Sequence, residues 1–172
     1  MAIEMFVYRI LIDLQGKAVV VLADEQAEQL LHIWIGSVEA HAIARVLKDE
    51  PFERPLTHDL LWSVISETGY AVERITITKL EDNTFYATLS LVDSTTSTDI
   101  DARPSDAIAI ALRAGAPIYA NEQVLAEAGR SAEEMEDKAE EIEKFKDLMS
   151  EIEVPNDFTK RDSADEEATE DE

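Results

Sequence analysis

The chain has 172 residues, 45% of them apolar, enough for one domain with a packed core plus an appendage. Its 38 acidic and 15 basic residues give a net charge of -23, and it has no cysteine, which excludes disulfides, thiolate catalysis, cysteine-bound zinc and iron–sulfur clusters. No run approaches the roughly 20 apolar residues of a membrane span, and Met1-Ala2-Ile3-Glu4-Met5 lacks the basic start of a secretory signal, so a cytoplasmic protein with no membrane partner is expected.

In chain order, residues 3 to 13 alternate, Gln15-Gly16 marks a turn and Lys17 to Leu22 is a valine-rich run, which together read as a β-hairpin. Leu30 to Ile35 supplies a third strand and Gly36 breaks it. Val38 to Leu47 then sets Ala40, Ile43, Ala44 and Leu47 at helical spacing. A helix is predicted over Thr57 to Thr68, terminated by Gly69. Strands follow over Val72 to Leu80 and Thr84 to Val92, joined through Asp82-Asn83, and a third over Ser97 to Ala102 leads into a helix from Pro104 to Ala114. Laying Glu39-Ala40 over Asp106-Ala107 superposes Ile43 on Ile110 and Ala44 on Ala111, an offset of 67 residues. This reads as a degenerate duplication; the alternative is that any two amphipathic helices following strands align as well. The expected fold class is α+β, with a mixed or mainly antiparallel sheet built from two related three-strand-plus-helix halves and a C-terminal helix.

The first domain is placed at residues 1–128, an amphipathic helix at 129–158 and a disordered acidic tail at 159–172. Ser131 and Glu134 form a capping box. Met135, Ile142, Phe145, Met149 and Ile152 follow a seven-residue rhythm that Pro155 stops. The tail is acidic and almost without large apolar residues.

Two segments concentrate chemistry, Arg54-Pro55-Leu56-Thr57-His58-Asp59-Leu60 and Asp101-Ala102-Arg103-Pro104-Ser105-Asp106-Ala107. Each sets Arg-Pro and a short hydroxyl residue before an acid at a helix start. There Pro loses no intrahelical bond, Thr57 or Ser105 would cap orphan amides, and Asp59 or Asp106 meets the positive end of the dipole. The same positions suit anions or metals. Phosphodiester cleavage needs a nucleophile, charge stabilisation and help for the leaving group. Glu39, Asp59 and Asp106 are hard-metal ligand types for Mg²⁺ or Mn²⁺, and Arg54 and Arg103 are phosphate clamps. His58 is a general base or acid; protonated, it is disfavoured in a first helical turn, so its presence asks for a reason. Thr57, Ser105 and the acids equally fit purely structural capping and pairing roles. His41 reads as a surface residue, and His32 as packing or pointing outward. No His-x-x-x-His or phosphate-cradling glycine loop occurs.

Together with Ile33-Trp34-Ile35-Gly36-Ser37-Val38-Glu39-Ala40 and the run from Ala107 to Tyr119, these segments closely resemble the bifunctional nuclease (BFN) domain family, from the first residue to about Val124. The resemblance implies nuclease activity on RNA and DNA. It favours Arg54, Thr57, His58, Asp59, Arg103, Ser105 and Asp106, with His58, Asp59, Arg103 and Asp106 as catalytic groups and Arg54, Thr57 and Ser105 as substrate contacts.

The charge opposes nucleic acid as a partner. Through Ala120 there are 18 acidic against 9 basic residues, and 20 against 6 beyond it, the reverse of the basic field that attracts phosphate. A high-salt cytoplasm reconciles the two, since screening shrinks to about 3 Å at 1 M salt. The rival reading is a non-enzymatic regulatory or interaction module holding a protein partner or small anion between the Arg-Pro motifs. Uncovered strand edges lead us to expect at least a homodimer.

Overall fold

The computed structural model describes residues 1–50 and 53–131. Strand β1 (Ala2–Ile12) turns through Gly16, whose φ is 79°, into β2 (Ala18–Ala23), and β3 (Gln29–Ile35) pairs antiparallel with β2. Helix α1 (Ser37–Leu47) and helix α2 (Thr57–Glu67) follow. Next come β4 (Ala71–Glu81), β5 (Thr84–Val92), β6 (Ser97–Ala102) and helix α3 (Pro104–Ala114). The described chain closes with β7 (Ile118–Asn121), α4 (Glu122–Ala128) and β8 (Gly129–Ser131).

The strands form one sheet in the order β6-β5-β4-β7-β1-β2-β3-β8. Every pair is antiparallel except β4–β7. Asp82 and Asn83 both take positive φ, 48° and 59°, the mirror-image turn that matches strand twist in a two-residue hairpin. β2 is buried along its whole length, so its Ala-Val-Val-Val-Leu-Ala run is what a strand flanked by two others requires.

Outward from β7 the order is β4-β5-β6 on one side and β1-β2-β3 on the other. β4 runs parallel to β7 and β1 antiparallel, so the halves are related by an approximate twofold normal to the sheet, as the duplication predicts. The helices that end the halves, α1 and α3, pack against each other. Ala107, Ala109 and Ala111 are fully buried, which lets α3 approach its neighbours closely. Val20, Leu22, Leu31, Ile33 and Ile43 of one half join Ile75, Ile77, Leu89, Ile108 and Ile110 of the other in one core. α3 ends at Gly115, whose φ of 64° is the left-handed cap that glycine adopts without steric cost.

Three elements escape sequence reading. β7 is four residues long, too short for a pattern, yet it bridges the halves with Ile118 opposite both Met5 and Ile75. α4 is seven residues. Gly129–Ser131, assigned above to the start of a C-terminal helix, are strand β8, paired with β3 through Gln29, Leu30 and Leu31. Ser131 is therefore a strand residue; the rest of that helix and the tail at 159–172 lie outside the described residues. No helix among the described residues is long and apolar enough to cross a membrane.

Candidate functional site

Helices α1, α2 and α3 and strands β5 and β6 wall a cleft of about 1160 Å³. Its lining is aliphatic over most of its extent, through Val38, Leu60, Leu61, Leu91, Ile100 and Ile110 among others, with no Phe, Tyr or Trp among them. Its polar lining includes Glu39, His41, His58, Asp101, Arg103 and Asp106, of which Glu39, His58, Arg103 and Asp106 cluster through hydrogen bonds.

These four residues form a connected network. His58 Nε2 lies 2.9 Å from Asp106 Oδ1 across 48 residues of sequence. Arg103 donates Nε to Asp106 Oδ2 at 2.7 Å and Nη2 to Asp106 Oδ1 at 3.2 Å, and the same Nη2 reaches Glu39 Oε1 at 2.8 Å. Burial pushes the Asp106 carboxyl up, but the hydrogen bonds from Arg103 and His58 outweigh it and hold it below the ordinary aspartate value. An ionised carboxylate only accepts, so Nε2 of His58 carries a proton in this bond. Asp106 is also what lets a histidine sit in the first turn of α2, because it offsets the dipole. The same two acids raise the affinity of Arg103 for its proton, Asp106 first and Glu39 less.

Backbone geometry prepares these contacts. Arg103 is the N-cap of α3 and Pro104 its first residue, so Arg103 is extended and its side chain leaves along the helix start. Gly36 precedes α1, and a Cβ there would run into Oε2 of Glu39; the missing side chain lets Glu39 fold back over the helix start.

Of the residues singled out in the sequence, Glu39, Thr57, His58, Arg103 and Asp106 line this cleft. Asp59 does not. Its Oδ2 accepts the Leu56 N–H at 2.8 Å and its Oδ1 takes Arg113 Nε at 2.6 Å. Burial raises the Asp59 carboxyl, while those two bonds and the Arg113 charge lower it further than burial lifts it. With Arg54 it lines a separate pocket of about 360 Å³ beside Arg45 and Arg113. Ser105 is buried and faces a third pocket, near Lys17, Trp34 and Phe85. Neither hydroxyl residue caps a helix: the N-caps of α2 and α3 are Leu56 and Arg103, without side-chain cap bonds, because each helix starts one or more residues earlier than a capping Thr57 or Ser105 requires.

His41, read from sequence as a surface residue, is exposed but stands on the cleft wall. It is three residues after Val38, and the i,i+3 relation puts both on one helix face. That spacing was readable; what was not readable was that the face lines the same cleft as His58.

The carboxylates do not fit a divalent ion as they stand. Both oxygens of Asp106 are engaged by Arg103 and His58, Glu39 shares the same guanidinium, and Asp59 is committed elsewhere. Among the described residues no three His, Asp or Glu side chains are grouped to hold a metal. The guanidinium occupies the position between two carboxylates that an ion would need.

Comparison with known proteins puts this site in context. Residues 20–133 match the family model described as bifunctional nuclease domain, a span that contains the whole network. An uncharacterised protein of Mycobacterium tuberculosis is 39% identical over 151 residues, covering 84% of this chain and 90% of its own length. Bifunctional nuclease 2 of Oryza sativa subsp. japonica is 31% identical over 104 residues, 59% of this chain and 32% of the plant protein. Bifunctional nuclease 1 of the same plant is 26% identical over 110 residues, 62% of this chain and 33% of its own. This chain thus spans about a third of the plant nucleases it matches. On the family match and the Mycobacterium relative together, the chain belongs to the bifunctional nuclease domain family.

Proposed function

We propose that this protein is a nuclease that cleaves RNA or DNA phosphodiesters of low sequence preference in the α1–α2–α3 cleft. The observation that carries the reading is the His58–Asp106–Arg103–Glu39 network in the wall of the cleft between α1, α2 and α3. A histidine oriented by a carboxylate, beside an arginine whose side chain is 67% exposed, supplies a proton acceptor and a phosphate clamp in one place. Mg²⁺ or Mn²⁺ would have to draw Glu39 and Asp106 off Arg103 to bind, so no step is assigned to an ion. The cysteine-free, acidic composition supports a cytoplasmic setting.

The test is degradation of single-stranded and duplex RNA and DNA, with Mg²⁺, Mn²⁺ or a chelator, comparing wild type with the His58→Ala, Arg103→Ala double variant from parallel preparations. Cleavage by wild type alone is expected. Equal cleavage by both, or none by either across a wide salt range, overturns the nuclease reading.

The aliphatic character of the cleft favours a second reading, an interaction module. Val38, Leu60, Leu61 and Ile100 are each at least 43% exposed and line the cleft, an apolar rim of the kind that partners cover. Light scattering tests the homodimer form of this reading; the monomer mass over a wide concentration range would sink it.

A further inference from the structure

We propose that a second pocket, joined to the cleft through Arg103, binds one nucleotide of a single strand, with the base on Trp34 and a phosphate between Lys17 and Arg103. The inference rests on the nuclease reading above and adds a substrate subsite to it.

The pocket has a volume of about 360 Å³, at the small end of the roughly 300–1,000 Å³ of ligand sites. Both halves of the fold build it. One supplies Lys17 before β2 and the end of β3 from Ile33 into Gly36; the other supplies Asn83 to Phe85 at the β4–β5 hairpin and Arg103 to Ser105 at the start of α3. Arg103 also lines the α1–α2–α3 cleft, so the two sites share one guanidinium.

The first support is charge. Both charged residues of the lining, Lys17 and Arg103, are cations. In a chain of net charge -23 that is an exception: the cleft carries Glu39, Asp101 and Asp106, and the pocket around Arg54 carries Asp49, Glu50 and Asp59. None of the bonds from Arg103 to Asp106 and Glu39 uses Nη1. Two cations with no acid in the same lining suit a phosphate.

The second support is Trp34, which is 60% exposed, unusual for a side chain with so large an apolar area. Its Nε1–H donates to Asp13 Oδ2 at 3.1 Å, and Asp13 Oδ1 accepts the N–H groups of Gln15 and Lys17. The indole is thus tethered by its edge to the β1–β2 turn while much of its ring stays open. Phe85 adds a second aromatic side chain to the lining. Stacking of this kind tolerates any base. It needs an unpaired one, because neighbours cover both faces of a base inside a duplex.

The third support is Ser105, a motif residue that the cleft leaves unused. It is 6% exposed, lines this pocket and makes no side-chain hydrogen bond among the described residues. A buried hydroxyl without a partner costs free energy, which a ligand atom bonded to it would recover. Asn83, exposed in its turn, offers an amide donor and a carbonyl acceptor to a base edge. Because Arg103 and Trp34 line one small pocket, a strand whose phosphate Arg103 holds in the cleft places an adjoining base on Trp34.

The experiment measures binding to the full chain by fluorescence anisotropy of a labelled single-stranded DNA dodecamer, with chelator present and strand integrity checked on a gel. The same dodecamer as a duplex, a dodecamer of abasic sites and a nucleoside 5′-monophosphate are the comparison probes. The intact single strand should bind tighter than each of these by roughly tenfold or more. Trp34→Ala should weaken single-strand binding by about 5- to 100-fold, and Trp34→Phe should restore most of it. Lys17→Gln should weaken intact and abasic strands alike and lower the salt slope by about 0.7. In Trp62→Phe, where Trp34 is the one tryptophan left, the single strand should quench the indole fluorescence. Equal binding of intact and abasic strands, a monophosphate that binds as tightly as the strand, or an affinity unmoved by Trp34→Ala overturns this inference; wild-type cleavage alongside any of these leaves the nuclease reading standing. Neither binding nor cleavage of any strand, with Mg²⁺, Mn²⁺ or chelator, overturns both.

Discussion

Arg113 on α3 donates its Nε to Asp59 on α2 at 2.6 Å, and the arginine side chain is only 6% exposed. Arg113 also reaches the carbonyl oxygens of Ala109 and Ala42, so one buried guanidinium joins α1, α2 and α3. The acid adjacent to His58 in sequence thus holds helices together, while the acid 48 residues away orients the imidazole.

Arg113→Ala should therefore unfold more easily. Breaking a buried pair costs about 3–5 kcal/mol; Asp59 is 31% exposed and can rehydrate in part, so a loss of about 2–4 kcal/mol is expected in urea unfolding. Asp59→Asn should lower stability less and change turnover only a few-fold. A large drop in turnover with an unchanged urea midpoint would restore a catalytic role to Asp59.

Arg103→Ala should show the opposite pattern. Its contacts are at the surface, where such pairs contribute about 0–1 kcal/mol, but it is the cation at the cleft mouth. Turnover should fall by roughly 10–1000-fold while stability stays within about 1 kcal/mol, read from rate assays and melts of the same sample.

Gly36→Ala tests the fold-back of Glu39. Ala for Gly at a helix N-cap costs about 0.5–1 kcal/mol, and the new Cβ would displace the Glu39 carboxylate from Arg103. A several-fold fall in turnover with only a modest loss in the melt is expected, and wild-type kinetics would show that Glu39 does not position Arg103.

Acid should weaken the fold in a definite window. The N–H groups of Thr95 and Thr96 and the Thr95 hydroxyl hold the Asp93 carboxyl down to about 2. Its folded value lies below the unfolded 3.8, so its stabilisation is complete above that value and is lost as pH falls toward about 2. Asp106, also lowered, acts in the same direction. Asp93→Asn keeps the turn's acceptor but cannot titrate; urea midpoints at about pH 7, 4 and 2.5 should decline less steeply for it than for wild type.

Salt should stabilise the protein. With a net charge of -23, self-repulsion is screened as the Debye length falls from about 10 Å at 0.1 M to about 3 Å at 1 M. A melting temperature unchanged over that range would remove the high-salt reading of the acidic surface.

The strands and helices over residues 2–114 were legible because each is long enough to show its period and is bounded by Gly16, Gly36, Gly69, Asp82-Asn83 or Gly115. β7 was not, since four residues carry no period and its place is set by partners on both sides. The two Arg-Pro motifs meet at one cleft, yet not every residue that looked chemical in them takes part. Thr57, His58, Arg103 and Asp106 reach the cleft; Arg54, Asp59 and Ser105 face other pockets. Nothing in the sequence separates His58 from Asp59, because neighbouring residues on a helix point about 100° apart and only the packing of α2 on α3 decides which faces in.

The approximate twofold also explains why the repeats could not stay alike. Such an axis brings equivalent positions together, and Glu39 and Asp106 are equivalent acids within reach of one Arg103 side chain. Two identical halves would set two arginines beside two acids in a space that holds one guanidinium. Divergence at a single pair of positions, Gly36 in one half and Arg103 in the other, leaves one cation for two anions and one working end instead of a symmetric pair. Two identical half-length chains about such an axis would be bound to equal ends; a single chain that carries both halves can hold a lopsided site.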